Sequence, residues 1–246
     1  MFPIRPISVV ALISGLAFSL FVGWFFTMHA ESRSTAAATQ TISNLKVIST
    51  SMLAYHEKYK HLPPAYVLGA DGKPAHSWRV LLLEFFDPDL FTQYDFKEPW
   101  NGPNNRKLAD KMPSQYRVSW DPNGRGTLTS YIVLVGGKTA FPGDKTVKLK
   151  DITDGLDKTI LVAEAEGFNI HWMEPRDWDI GAFPIKISDV KKPGFSSQNR
   201  RGPCIALADA TIMCLDINAP VDQLVRMSTI AGGEEVNLKL VEAKKK

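Results

Sequence analysis

The chain has 246 residues, 44% hydrophobic and 22% charged, which suits one sizeable globular domain or two small ones and excludes a disordered polypeptide. A formal net charge of +3 is small, and no stretch interleaves a basic stripe with stacking aromatics, so no nucleic-acid partner is expected. Two cysteines, Cys204 and Cys214, are too few for a disulfide framework and lack CxxC spacing.

Residues 1–6 make a short tail ahead of "ISVVALISGLAFSLFVGWFFTM", which Ile7 opens and Met28 ends, without charge or proline. As a helix, residues 7–28 reach roughly 33 Å, enough to cross about 30 Å of hydrocarbon. Trp24, Phe25 and Phe26 suit an interfacial aromatic belt. The reading is an uncleaved anchor in the cytoplasmic membrane, N-terminus inside and domain outside, with the bilayer as partner. The rival is a cleaved signal peptide, against which stand the long apolar run and the lack of a small residue at the first key position of Met28-His29-Ala30.

The helix is expected to continue over 29–61. Ile42, Leu45, Ile48, Met52, Tyr55 and Tyr59 are spaced 3, 3, 4, 3 and 4, an amphipathic stripe with one buried face, and Pro63-Pro64 stops it. Residues 62–240 read as one α+β domain. "SWRVLLLEFF" (77–86) predicts a short helix stopped by Asp87-Pro88. "TSYIVLV" (129–135), "KTILVAEA" (158–165), "CIALAD" and "ATIMCLD" predict strands between Gly/Pro/Asn/Asp-rich loops. "VDQLVRMSTIAGG" predicts a last helix ended by Gly232-Gly233, and 241–246 a frayed basic tail.

Motifs that would carry chemistry are weak. "YIVLVGGKTAF" places Ile132 where a phosphate-binding loop needs its first glycine, so an ordinary turn is expected. In "HEKYKH", His56 and His61 are five apart and point about 140° from each other on a helix, which no shared metal tolerates. "DITDGLDKT" offers Asp151, Asp154 and Asp157 as weak calcium candidates, but the acids sit at positions 1, 4 and 7, and Asp154-Gly155 more simply supplies a turn. No serine nucleophile motif occurs. No cofactor is expected.

For the cysteines, a two-residue turn at Asp209-Ala210 pairs Cys204 with Leu215 and Ile205 with Cys214, setting the thiols on opposite faces. A three-residue loop is expected to bring them to one face without setting them opposite. Two separate, buried free thiols are therefore expected.

Several stretches in order, "NLKVISTSMLAYHEKYKHLPPAY", "SWRVLLLEFFDPDLFTQYDFKEPWNGPNN", "TAFPGDKTVKLKDITDGLDKTILVAEAE", "HWMEPRDW" and "MSTIAGGEEV", carry a resemblance over roughly residues 44–237. The pattern resembles a large bacterial family of unknown function, abundant in planctomycetes, whose members usually begin with a prepilin-type segment. The resemblance implies a pseudopilin-like architecture, a long N-terminal helix with its lower half in the membrane and its upper half on an antiparallel sheet. Prepilins carry a glycine at the cut and a glutamate within the span; "MFPIRPISVVALISGLAF" has neither at those places, which argues against processing and pilus growth and for a permanently anchored monomer or small complex. The family's C-terminal signature is His, nine residues, then Asp-Gly; here the matching positions are Asn199, Asp209 and Ala210.

These readings converge on a non-catalytic, membrane-anchored pseudopilin-like protein of an envelope assembly or secretion-type apparatus, in contact with its own copies or other envelope proteins. The alternative is a tethered extracytoplasmic ligand-binding module whose surface would comprise Trp100, Asn101, Asn104, Asn105, Trp172 and Trp178.

Overall fold

The computed structural model describes residues 35–117, 126–189, 191–197 and 201–243. The expected span 7–28 and the signature position Asn199 lie outside the described residues.

Helix α1 covers 35–59. Strands β1 (Tyr66–Leu68) and β2 (Pro74–Ser77) lead into α2 (Trp78–Phe86) and α3 (Pro88–Gln93). Then come β3 (Leu128–Thr129), β4 (Tyr131–Ile132), β5 (Leu134–Val135) and the longest strand, β6 (Ile160–Glu166). Strands β7 (Ile170–His171), β8 (Trp178–Asp179), β9 (Gly194–Phe195), β10 (Cys204–Leu207), β11 (Ile212–Cys214) and helix α4 (Val221–Met227) complete the order. The fold is α+β. Its main sheet runs β11-β10-β6-β4, all antiparallel, with β9 also on β6.

Period-two alternation sends the sheet's side chains into two cores. Tyr131, Val133, Val162, Cys204 and Ala206 face the first, with Leu45, Ile48 and Met52 of α1. Ile132, Leu134, Ala163, Ile205, Leu207 and Met213 face the second, with Leu224 and Met227 of α4. The amphipathic stripe is therefore real from Leu45 to Tyr55, all at most 9% exposed. Tyr59 departs from it; 40% exposed, it stacks on Tyr55 and donates to Glu84. Among the described residues no helix is long and apolar enough to cross a membrane.

Local chemistry sets the element ends. Ser77 caps α2 by accepting from the Arg79 amide. Asp87 ends α2 and at once caps α3, accepting from the Leu90 amide with Pro88 in the first turn. The expected stop is thus a corner between two helices. Residues 129–135 do not form one strand. The Val133 amide donates to Asp177 instead of a ladder, and the run splits into β3, β4 and β5, paired with β7, β6 and β8 respectively. The last helix ends at Met227, short of Gly232-Gly233: the Ser228 and Thr229 amides close a tight last turn on Val225 and Arg226, and beyond them the amides go to other segments, Ile230 to Lys138 and both glycines to Asp154. Val241 is buried, and the Ala243 amide donates to Cys214, so the tail is docked on β11 as far as residue 243.

The hairpin β10–β11 corrects the cysteine expectation. Its loop has three residues, closed by Leu207 N–H to the Thr211 carbonyl, and the register is Cys204↔Cys214, Ile205↔Met213. The tip is set by its docking: the Ala208 and Asp209 amides donate to the Thr159 and Leu156 carbonyls, and Ala210 takes φ +63°, the left-handed residue of a three-residue loop. Hydrogen bonds at 207–211 and 203–215 leave 204–214 as a non-hydrogen-bonded pair, where side chains stand closest. The two cysteines face each other and form a disulfide.

Candidate functional site

One row of side chains crosses the sheet on the α1 side. Cys214 pairs with Cys204, Cys204 lies against Glu164 one residue beyond the Ile205–Ala163 pair, and Glu164 pairs with Tyr131. The Glu164 carboxylate is almost wholly buried and collects donors from three segments. Ser197 Oγ donates at 2.7 Å, the Cys204 amide at 3.1 Å and Thr41 Oγ1 of α1 at 3.4 Å. Asn44, one helical turn on from Thr41, donates to the Tyr131 hydroxyl at 3.1 Å. Among the described residues no cation donates to Glu164. Burial pushes its carboxyl up, Glu166 two residues along adds to the push, and the three donors only partly oppose it, leaving it at about 7. The arrangement is a carboxyl that exchanges a proton near neutrality beside a disulfide.

A second buried carboxylate is held differently. Arg79 and Asp177 form a bidentate pair, Nη2 to Oδ1 at 2.6 Å and Nη1 to Oδ2 at 3.2 Å, both side chains sealed from solvent. Trp78 Nε1 and the Val133 amide complete the Asp177 shell. Arg79 spends its remaining donors on Ser77 Oγ and the Tyr131 carbonyl, and its guanidinium lies 4.6 Å from the centre of the Trp78 ring. Burial lifts the Asp177 carboxyl above its ordinary value, and Arg79, the Val133 amide and Trp78 oppose this only in part. This network joins "SWRVLLLEFF" to "HWMEPRDW", two of the stretches that carry the resemblance.

Asp154 joins two more. Its carboxylate accepts from the Gly232 and Gly233 amides at 2.7 and 2.8 Å and from Thr229 Oγ1 at 3.2 Å. Partial burial raises this carboxyl, but these bonds outweigh it and hold the group below its usual value. As a calcium candidate it is therefore committed elsewhere. Asp151 accepts from the Lys148 amide, and among the described residues no group of three acids, histidines or cysteines is placed to hold a metal. The turn reading of Asp154-Gly155 describes what is present, and so does that of "GGKT", where Thr139 Oγ1 donates to the Leu134 and Gly136 carbonyls. His56 accepts the Leu149 amide and His61 bonds the Leu62 carbonyl, so the two imidazoles serve different loops.

The candidate ligand surface is not gathered. Trp172 and Trp178 are fully buried, in different cores, with their indole N–H groups on the Ala109 and Phe183 carbonyls. Asn105 is also buried; its amide bridges the Asp95 N–H and the Asp95, Glu98 and Pro99 carbonyls. Asn104 is tied to Glu98 through its backbone and side-chain nitrogens. Trp100, half-buried against His171, and the exposed Asn101 and Asn104 are what remains at the surface. These asparagines build the loop they sit in.

At the hairpin tip, Asp209 accepts from the Thr211 amide and hydroxyl and so holds the turn, and Lys46 of α1 donates to the Ala210 carbonyl at 2.9 Å. Sequence reasoning missed Arg79, Asp177 and Glu164. The available signal was a charge inside an apolar run, Arg79 in "SWRVLLL" and Glu164 in "ILVAEAE".

Residues 31–132 match a family model described as "Protein of unknown function (DUF1559)". No curated protein matches the chain, and no solved structure does. Over those residues the chain is similar to a bacterial family of unknown function.

Proposed function

We propose that the protein is a membrane-anchored, pseudopilin-like component of an envelope assembly or secretion-type apparatus, with residues 7–28 in the cytoplasmic membrane and the α+β domain outside, without catalytic function in that assembly. The observation that carries the reading is α1, a single amphipathic helix laid along an antiparallel sheet, its N-terminal end leading back toward the apolar stretch 7–28. The Cys204–Cys214 disulfide adds support, since such bonds persist in oxidising compartments outside the cytoplasm. Several of the polar loop residues are spent on internal bonds, which leaves the binding-module alternative Trp100, Asn101 and Asn104 at the surface.

The test is in cells. The full chain is expected to stay in the membrane fraction after alkaline extraction, to lose its domain to protease added to spheroplasts, and to give defined higher-order species on in-cell cross-linking. Release as a soluble monomer, or protection of the domain in intact spheroplasts, would overturn the proposal.

A further inference from the structure

The row Cys214–Cys204–Glu164 has a chemistry that anchoring and assembly do not use. Cys204 is fully buried, whereas Cys214, on the outer strand β11, is only partly buried. An incoming thiolate therefore meets Cys214 first, and Cys204 is the sulfur that leaves. The leaving sulfur belongs to the residue that stands across from Glu164 on the same face of the sheet, and Glu164 Oε2 already accepts the Cys204 amide at 3.1 Å. A thiolate released into an apolar core needs a proton, and a buried carboxyl at that spot can give it.

We propose that Cys204–Cys214 is a redox-active couple that exchanges with dithiols in the folded state, with Glu164 as the proton donor and acceptor for Cys204. In the first step a thiolate of the dithiol attacks Cys214 Sγ; the new S–S bond forms as the Sγ–Sγ bond breaks. The electron pair leaves on Cys204, which takes the Glu164 proton and becomes a thiol. The second thiol of the dithiol, as thiolate, then attacks the reagent's own sulfur in the mixed disulfide and releases Cys214 as a thiolate, which takes a proton from solvent. The dithiol ends as a disulfide and two electrons have passed to the protein; re-oxidation by another disulfide, through the reverse steps, returns the Cys204 proton to Glu164.

The surroundings make Glu164 the group suited to this. From β4 the neighbour is the neutral Tyr131 hydroxyl; from α1, neutral Thr41 and Asn44, with Lys46 reaching away to the Ala210 carbonyl. From the segment before β10 it is Ser197, with Arg201 further along the chain. On its own strand Glu166 is the like charge, and it raises the carboxyl further, to the value near 7 given above. Near neutral pH both protonation states are thus at hand.

The test follows reduction of the full-length chain by dithiothreitol, scored as alkylated thiols by mass, for wild type, Glu164→Gln and Glu166→Gln. In wild type the rate should be first order in dithiothreitol and faster than global unfolding. Corrected for the reagent's thiolate fraction, it should fall as pH rises through about 7, the value of Glu164. Glu164→Gln should lose that fall and react roughly tenfold or more slowly at pH 6, while Glu166→Gln keeps the profile. A rate that saturates at the unfolding rate overturns the proposal, as does a wild-type profile flat across pH 7. So does a Glu164→Gln profile that coincides with wild type. If Glu164→Gln does not fold, the wild-type order and pH profile decide alone.

Discussion

Two buried carboxylates sit on two sides of Tyr131, both raised by burial, and they are held differently. Asp177 accepts four hydrogen bonds, two of them from a guanidinium, whereas Glu164 has, among the described residues, hydroxyls and an amide but no cation as donors. A carboxylate clamped by Arg79 fixes geometry: it holds α2 against β8 and diverts the Val133 amide out of the ladder. One solvated only by neutral donors keeps its proton close to neutrality. Burial alone does not decide the role; the sign of the neighbour does.

The comparison breaks most sharply at the ion pair. Asp177→Ala should cost about 3–5 kcal/mol, because it strands a buried guanidinium. Urea unfolding measures this, and a loss below about 1 kcal/mol would mean that water reaches Arg79.

Next comes the stability difference between wild type and Glu164→Gln as a function of pH. Glu164 is raised in the folded state, so the fold binds its proton more tightly than the unfolded chain does. Stability is then highest below the unfolded value of about 4.5 and falls as pH rises toward about 7. The slope should approach 1.4 kcal/mol per pH unit and vanish in the glutamine variant. The same slope in both proteins would assign it to other groups.

Asp154 is a third case, a carboxylate held by backbone amides. Its value is depressed, so its contribution is present above about 3.8 and lost as pH falls through the lower folded value. Asp154→Ala should cost about 1–3 kcal/mol and expose the Gly232 and Gly233 amides to hydrogen exchange. Unchanged exchange there would show that other contacts hold the 228–233 segment. The smallest effect is expected at the hairpin tip. Ala210→Gly removes the strain of φ +63° and should stabilise by up to about 1 kcal/mol, read as a rise in Tm.

Some of this was legible in residue order. The 3–4 spacing from Ile42 to Tyr55 predicts α1 and its buried face, because helical periodicity needs no partner to be read. The apolar run of β6, the helix at 78–86 and the turn role of Asp209 were equally local. The candidate sites were less so. Trp172, Trp178 and Asn105 look like surface in a loop-rich sequence and lie in the cores, since burial depends on which segments fold over them.

What the sequence by itself determined, then, is the helical stripe, the break points at proline and aspartate, and a hairpin about 209–210. Tertiary structure decided the rest. A difference of one residue in loop length changes a strand's register and turns every side chain over. Docking of the hairpin tip on Leu156 and Thr159 chose the three-residue loop, and with it the Cys204–Cys214 disulfide beside Glu164. The meeting of Arg79 with Asp177, 98 residues apart, is likewise a product of the packed sheet and helices, because no local interaction brings such distant charges together.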